Sequence, residues 1–216
     1  MKLFIVRHGQ TIWNKEHRLQ GKYNSDLTEI GREQAIILGE HLRKNNIQID
    51  HFISSPLGRA FETAKLIANT DEIIIRDNLA EMAFGKWEGK DLDEIKEEAP
   101  EEFYNFFNEA HKYDPSINEG ENFTSLEARV RDELKHLTST YQNKNILIVS
   151  HGITIKMIFS IIKNQSLEQF WKSDIFQNTS LSLVNFNKDK FSVEYISDTS
   201  FLPKDLTTSF NKVVEK

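Results

Sequence analysis

The sequence has no cysteine, few residues that break regular structure and no long apolar run. Its 216 residues include four prolines and nine glycines. Without cysteine, the chain has no disulfides, thiolate metal ligands or thiol nucleophiles, which agrees with a reducing compartment. No apolar stretch approaches the roughly 20 residues that a membrane helix needs, and no signal-like segment opens the sequence. We therefore expect a cytoplasmic protein with no membrane partner.

Charge and composition narrow the class of protein further. Lys and Arg total 27 against 33 Asp and Glu, for a net charge of -6. This balance disfavours a general nucleic-acid binder, because such proteins collect basic residues on one surface. The hydrophobic content of 38% supports a sizeable core, and no repeat or Pro/Gly/Ser-rich linker divides the chain. We predict a single domain over residues 1–216, with a helical lid or insertion at about residues 90–122.

Short apolar runs alternate with segments of helical periodicity. Four of these runs predict buried strands, at residues 3–6, 51–54, 73–75 and 145–149. Two late runs, at residues 181–186 and 191–196, predict an edge hairpin. The alternation predicts an α/β fold, a three-layer αβα sandwich with a mostly parallel sheet of about six strands and one antiparallel edge strand.

Three helix starts are indicated by capping residues. A helix should follow Thr28. Ser55 is a good N-cap, and Pro56 suits the first position of the helix after the second strand. Thr124 and Glu127 have the spacing of a capping box for a long amphipathic helix.

Two arginines and two histidines stand at the junctions between strands and helices. Arg7 and His8 directly follow the first apolar run, Arg59 lies in the helix after the second, and His151 follows the run at 145–149. The carboxyl ends of parallel strands meet at one edge of the sheet, where ligands of such folds bind. Two guanidinium groups in one crevice predict an anionic ligand.

These residue types suit phosphoryl transfer. Arginine forks and helix N-termini stabilise the oxygens of a phosphoryl group, and a histidine can attack the phosphorus covalently. A carboxylic acid would donate a proton to the departing oxygen, and Glu81 and Glu88 are both candidates. The residues alone leave open whether His8 or His151 is the nucleophile, and which glutamate is the acid.

The motifs together resemble the histidine phosphatase superfamily, also called the phosphoglycerate mutase-like family. The similar segments occur in the family's order and are spread over residues 1–152. They are residues 7–11, 13–14, 19–21, 26–35, 54–60, Glu81 with residues 84–89, and residues 150–152. The resemblance implies a phosphatase of this family that needs no metal and no cofactor.

The resemblance also implies a role for each candidate residue. His8 would accept the phosphoryl group and Glu81 would donate the proton. Arg7, Arg59 and His151 would bind the phosphate of the substrate. Further substrate contacts are implied at four positions: Asn14, Gln20, Gly21 and Gly152.

A scarcity of free cations favours a phosphatase over a mutase. In this sequence, Glu81 and residues 84–89 correspond to the family's acid loop. Family mutases that depend on bisphosphoglycerate place paired arginines after this acid loop, whereas residues 77–128 contain no arginine. The cations of this stretch are four lysines: Lys86, Lys90, Lys96 and Lys112. We expect a phosphomonoesterase similar to the alpha-ribazole or broad-specificity phosphatases, acting through a phosphohistidine on a small phosphorylated metabolite.

Three other functions are left open. They are a bisphosphoglycerate-dependent mutase, a catalytically silent phosphate-binding scaffold, and a metal-dependent hydrolase. The last is disfavoured because arginines are poor neighbours for a metal cation. A homodimer is also left open.

Aromatic residues after the acid loop are expected to pack in the core. Trp87 is interpreted as a packing anchor. Phe103, Phe106 and Phe107 have helical spacing, which is typical of a buried helix face. The alternative interpretation is a hydrophobic lid over the site.

Overall fold

The computed structural model describes residues 1–172 and 174–207, and its centre is a six-stranded sheet. The strands lie side by side in the order β3-β2-β4-β1-β5-β6. They are β1 (Lys2–Arg7), β2 (His51–Ser54), β3 (Ile74–Ile75), β4 (Asn145–Ser150), β5 (Leu181–Asn187) and β6 (Lys190–Asp198). The first four are parallel to one another, as the alternation of strands and helices predicts.

The late hairpin completes the sheet on one side. β5 pairs antiparallel with β1, and β6 pairs antiparallel with β5. β5 is therefore the strand that runs against the others, and β6 covers its outer side. The edge hairpin predicted from the apolar runs is confirmed.

Helices cover both faces of the sheet. They are α1 (Ile12–Lys15), α2 (Glu29–Lys44), α3 (Gly58–Ala68), α4 (Leu92–Glu98), α5 (Pro100–Asn108), α6 (Phe123–Thr140) and α7 (Gly152–Ile162). Thr28 caps α2 as expected, its side chain accepting from the Gly31 amide at 3.0 Å. Within the described residues, no helix combines the length and apolarity that a bilayer crossing requires.

The core has two layers, one on each face of the sheet, and alternate side chains of β1 belong to each. Phe4 and Val6 pack with the apolar faces of α2 and α3. Leu3 and Ile5 point to the opposite face, toward the cluster that contains α5, α6 and α7. Because successive strand residues face opposite sides, one strand serves both layers. This is the predicted three-layer sandwich.

Two helix starts differ from the sequence prediction. α3 begins at Gly58 with Leu57 at the N-cap, so Ser55 and Pro56 lie in the turn before it. The Ser55 hydroxyl accepts from the Leu57 amide at 3.2 Å within this turn and also lies 2.7 Å from His151, a long-range contact that local spacing does not encode. The helix gains an acceptor from outside, since Asn24 Oδ1 accepts from the Arg59 amide at 3.0 Å.

The predicted capping box of α6 is also wrong. The helix begins at Phe123 and its N-cap is Asn122, whose side chain accepts from the Ser125 amide at 2.7 Å. Thr124 is already inside the first turn. Asparagine ranks at least as high as threonine as an N-cap, and it comes two residues earlier.

An aromatic cluster fills the space between the acid loop and the helices that follow. Phe106 is fully buried and has ring contacts with Phe84, Trp87 and Trp171 among others. Phe103 and Phe107 lie in the same core cluster. The expectation of core packing for Trp87 and the three phenylalanines is confirmed. The single domain and the lid or insertion at about residues 90–122 stay predictions.

Candidate active site

The predicted catalytic residues meet at the carboxyl edge of the sheet. Arg7 ends β1 opposite Ser150 of β4, which brings His8 next to His151. The centroids of the two imidazole rings are 5.2 Å apart. Arg59 reaches the same place from α3, and Glu81 from the segment after β3. All five side chains are buried, with at most 7% of each residue exposed.

His8 presents a defined nitrogen to the site. Its Nδ1 lies 2.8 Å from the Gly9 carbonyl oxygen. A carbonyl can only accept a hydrogen bond, so Nδ1 is the protonated nitrogen and Nε2 keeps its lone pair. Burial, with smaller contributions from the charges of Arg59 and Arg7, lowers the His8 pKa well below its ordinary value near 6.5. The geometry therefore supplies a neutral imidazole, which is the nucleophilic form.

His151 is held from the opposite side by the turn before α3. Its Nε2 lies 2.7 Å from the Ser55 hydroxyl. Its Nδ1 is buried and has no hydrogen-bond partner among the described residues. Burial and the neighbouring Arg59 lower the pKa of His151 well below 6.5. With the hydroxyl donating to Nε2, the Nδ1 proton is free for a ligand oxygen.

Arg59 is anchored through the loop at residues 20–24. Its Nη1 donates to the Tyr23 carbonyl at 2.7 Å, and its Nη2 donates to the Gly21 carbonyl at 2.8 Å. Its Nε is buried without a partner in the described part of the chain. Burial lowers the pKa of Arg59 to about 10, against the attraction of Glu81. The guanidinium stays charged at neutral pH and keeps a donor for an anion.

Arg7 is fixed from a different element. Its Nη1 donates to the Phe176 carbonyl at 2.7 Å. Burial lowers the Arg7 pKa to about 10, and the Glu81 carboxylate opposes this shift. Gly152 packs against the same guanidinium, since a Cβ there would lie 3.6 Å from the Arg7 Cζ. The predicted position Gly152 thus borders the arginine.

Glu81 sits on the N-terminus of α7. Its Oε1 accepts from the amides of Met82 and Thr154 at 2.9 and 3.1 Å. The Thr154 hydroxyl is also 3.1 Å from this oxygen. Oε2 accepts from the Ile153 amide at 3.2 Å. Helix N-termini favour a negative charge, and Oε2 has the fewer of these contacts.

Glu88, the other acid candidate, has a different task in this structure. Its Oε1 accepts from the amides of Lys22 and Phe84 at 2.9 Å, and its Oε2 accepts from the Tyr23 amide at 3.2 Å. The carboxylate joins the acid loop to the loop that anchors Arg59. Gly21 permits this contact, because a Cβ there would lie 2.2 Å from the Glu88 Oε1.

Two further predicted positions are Asn14 and Gln20. Asn14 Oδ1 accepts from the Thr11 amide and from Asn178 Nδ2, both at 3.1 Å. Asn178 Nδ2 is also 3.1 Å from the His8 carbonyl, which places Asn14 beside the His8 backbone. Gln20 is buried, and its Oε1 has no partner among the residues described.

Several residues near the site were missed by the sequence analysis. Ser55 was assigned to a helix cap, and Asn24 lies in a loop without a recognised motif. Arg129 lies one residue beyond the arginine-free stretch at 77–128, so its proximity to the acid segment was invisible. Lys22 directly follows the motif at residues 19–21, which was the one signal that could have drawn attention to it. Burial and Arg129 lower the pKa of Lys22.

Comparison with known proteins agrees with this geometry. The sequence model of the histidine phosphatase superfamily, branch 1, matches residues 3–199. The chain is 31% identical over 204 residues to the metal-independent phosphoserine phosphatase of Arabidopsis thaliana. This alignment covers 93% of the chain and 83% of the Arabidopsis protein. It is 34% identical over 164 residues to the probable phosphoglycerate mutase GpmB of Erwinia tasmaniensis, covering 75% and 74%.

Solved structures share the fold over almost the whole chain. YhfR of Bacillus stearothermophilus superposes with a TM-score of 0.87 at 32% identity, covering 93% of this chain and 98% of that one. The alpha-ribazole phosphatase of Shigella flexneri superposes with a TM-score of 0.81 at 27% identity, covering 92% and 96%. The protein therefore belongs to the histidine phosphatase superfamily.

Proposed function

We propose that the protein hydrolyses small phosphomonoesters without a metal ion and through a covalent phosphohistidine on His8. The observation that supports this most directly is the state of the His8 ring. Its Nδ1 is committed to the Gly9 carbonyl, and its low pKa keeps Nε2 unprotonated between two arginines. This is the requirement for a nitrogen nucleophile facing an anionic phosphorus centre.

In the first half of the reaction, the phosphate of the substrate lies between Arg7, Arg59 and the Nδ1 proton of His151. These donors offset the charge on the phosphoryl oxygens. The His8 Nε2 attacks phosphorus, so that the P–N bond forms while the bond to the ester oxygen breaks. Protonated Glu81 gives its proton to the departing oxygen and becomes a carboxylate.

In the second half, water replaces the released alcohol. The Glu81 carboxylate takes a proton from the water while the water oxygen attacks phosphorus. The P–N bond breaks, the His8 lone pair is restored and inorganic phosphate leaves. Glu81 serves both halves, which the contacts of Oε2 permit because this oxygen accepts only the long bond from Ile153 among the described residues.

The pairing of nearby cations supports hydrolysis over transfer to a second phosphorylated acceptor. Lys86, Lys90 and Lys112 each form an ion pair with a glutamate. All three guanidinium nitrogens of Arg129 donate to protein oxygens. Arg129 is therefore committed to internal partners, whereas a mutase needs cations for a second phosphate.

The substrate is proposed as a class and not as a compound. A buried site with two charged guanidiniums suits a phosphorylated small metabolite, and phosphoserine, 3-phosphoglycerate and alpha-ribazole phosphate belong in the first panel. Purified protein would be assayed for phosphate release from each. Interconversion of phosphoglycerates faster than phosphate release would overturn the phosphatase proposal in favour of the mutase. We also propose a cytoplasmic location and no nucleic-acid partner.

A His8→Ala variant provides the mechanistic test. We expect it to lose at least about 10³-fold in kcat on p-nitrophenyl phosphate, because the nucleophile is gone. Wild-type protein quenched in acid-free denaturant after mixing with radiolabelled ester should hold label on one histidine, and the variant should hold none. Activity should survive EDTA.

The outcomes separate the alternatives. Turnover by His8→Ala at the wild-type rate would overturn the phosphohistidine. Loss of activity with EDTA would favour a metal-dependent hydrolase. A wild-type protein that binds vanadate but releases no phosphate from any ester of the panel would be a phosphate-binding scaffold. A His136→Ala variant is the control, since this histidine lies on α6 away from the site.

A further inference from the structure

An ion pair between Glu121 and Arg129 lies behind the segment that presents Glu81. Arg129 Nε donates to Glu121 Oε1 at 2.7 Å, and Nη2 donates to Oε2 at 2.9 Å. The Arg129 side chain is 17% exposed and the Glu121 side chain is 15% exposed. This bidentate, mostly buried geometry distinguishes the pair from surface ion pairs, which contribute little.

The same pair holds the backbone on both sides of Glu81. Arg129 Nη1 donates to the carbonyls of Asn78 and Ala80, at 2.7 and 2.8 Å. On the other side, Glu121 Oε2 accepts from the Ala83 amide at 3.3 Å, and the Glu121 amide donates to the Ala83 carbonyl at 2.8 Å. Glu81 therefore lies between two stretches of chain that one ion pair joins.

Neutral side chains fix the rest of the segment. The Ser150 hydroxyl donates to the Leu79 carbonyl at 2.7 Å, and the Thr154 hydroxyl lies 2.8 Å from the Ala80 carbonyl. The carbonyls of residues 78, 79 and 80 are thus all held by side chains. The charged pair is the part of this arrangement that comes from α6 and the loop before it, outside the motifs of the site.

We propose that Glu121 and Arg129 are positioning residues for proton donation by Glu81. The proposal rests on the function proposed above for Glu81. A general acid must lie within hydrogen-bond reach of the departing oxygen, and a displacement of about 1 Å can cost on the order of 100-fold in rate. Neither residue contacts the substrate in this assignment, because both Glu121 oxygens and four of the five Arg129 N–H groups are occupied by each other and by the backbone.

Leaving-group dependence gives a readout that a purely structural role would not change. A p-nitrophenolate departs with little help from an acid, whereas an alkoxide needs a proton. We expect Arg129→Lys and Glu121→Gln to lower kcat/KM on an alkyl phosphate by about 10- to 100-fold, and on p-nitrophenyl phosphate by less than about threefold. This ratio reports the steps up to transfer of the phosphoryl group to His8, so it excludes the later hydrolysis, in which Glu81 acts as the base for either ester.

Glu81→Gln sets the reference for this comparison. It should show the same preference for the activated ester, with a larger loss on the alkyl ester. In the Glu81→Gln background, adding Glu121→Gln should have little further effect on the alkyl ester, because there is no proton donor left to misplace. Circular dichroism and urea unfolding would establish that each variant is folded.

The control is a second ion pair on the same helix. Arg131 and Glu127 pair at 2.6 Å, and Arg131 is 52% exposed. The variants Arg131→Lys and Glu127→Gln should leave both substrates unaffected.

The possible failures are distinguishable. If Glu81→Gln loses kcat/KM equally on both esters, the assignment of Glu81 as the acid fails. If Glu81→Gln shows the leaving-group dependence but folded Arg129→Lys and Glu121→Gln lose equally on both esters or lose nothing, the positioning role is overturned. If one of the variants Arg129→Lys and Glu121→Gln unfolds, the folded one is measured in its place, and the same criterion applies.

Discussion

At the scale of single residues, the site combines two neutral imidazoles with two charged guanidiniums in a buried crevice. Burial disfavours the charged form of every group, but the consequence differs with the starting pKa. The arginine pKa values fall only to about 10, so Arg7 and Arg59 stay cationic at neutral pH. Those of His8 and His151 fall well below 6.5, so both rings are neutral. One physical effect thus leaves the two arginines charged and the two histidines neutral.

This separation predicts the pH titration of the two rings. As the pH falls from about 8 to 6, His8 and His151 should stay neutral, because burial lowers the pKa of both rings well below 6.5. NMR of protein labelled in the imidazole rings would measure this, with His8→Asn and His151→Asn for assignment. Titration of His8 near pH 6.5 or above would contradict the neutral nucleophile.

At the scale of elements, a loop supplies the cap of the helix that presents Arg59. α3 has no side-chain cap of its own, and Asn24 accepts from the Arg59 amide. In the same loop, the carbonyls of Gly21 and Tyr23 accept hydrogen bonds from the two Nη groups of Arg59. The position of Arg59 therefore depends on this loop as much as on α3.

We accordingly expect Asn24→Ala to weaken both stability and phosphate binding. Loss of the capping oxygen should cost about 1 kcal/mol in the free energy of unfolding. The KM should rise as the loop around Arg59 loosens. Urea unfolding and steady-state kinetics would measure the two effects. Asn24→Asp keeps an acceptor oxygen and should retain most of the stability, so equal losses in the two variants would contradict the capping role.

The elements also show where local sequence patterns were sufficient. The start of α2 at Thr28 followed from capping and periodicity, because all the groups involved lie within a few residues. The starts of α3 and α6 did not follow. Ser55 pairs with His151, which is 96 residues away, and Asn122 competed with Thr124 for the same cap. Local rules fail where a side chain has a better distant partner or where two caps are adjacent.

At the scale of the whole molecule, the aromatic cluster joins the acid loop to the helical segment at residues 90–122. Phe106 is in contact with Phe84 and Trp87 of the loop, Phe123 of α6 and Trp171. We propose that this segment is an insertion that forms a fixed wall of the molecule instead of a moving lid. Its buried phenylalanines would have to leave the core for it to open.

A Phe106→Ala variant tests this arrangement. Removing a fully buried ring should lower the free energy of unfolding by roughly 3–5 kcal/mol. Phe106→Leu should cost less, since it keeps most of the volume. Chemical unfolding measures both free energies. Amide hydrogen exchange measures how readily the segment at residues 90–122 opens. Exchange of α5 amides far faster than those of α6 in the wild-type protein would favour the lid.

The sequence by itself determined the layers, the strand junctions and the grouping of Arg7, His8, Arg59 and His151 at one sheet edge. Hydrophobic periodicity sets these features, and parallel strands bring their carboxyl ends together whatever the loops do. Only the tertiary structure decided the hydrogen-bond partners of the Glu81 and Glu88 carboxylates, the contact of Ser55 with His151 and the place of Arg129 beside the acid segment. These contacts join residues far apart in the chain, and hydrogen-bond geometry and burial have no local sequence period.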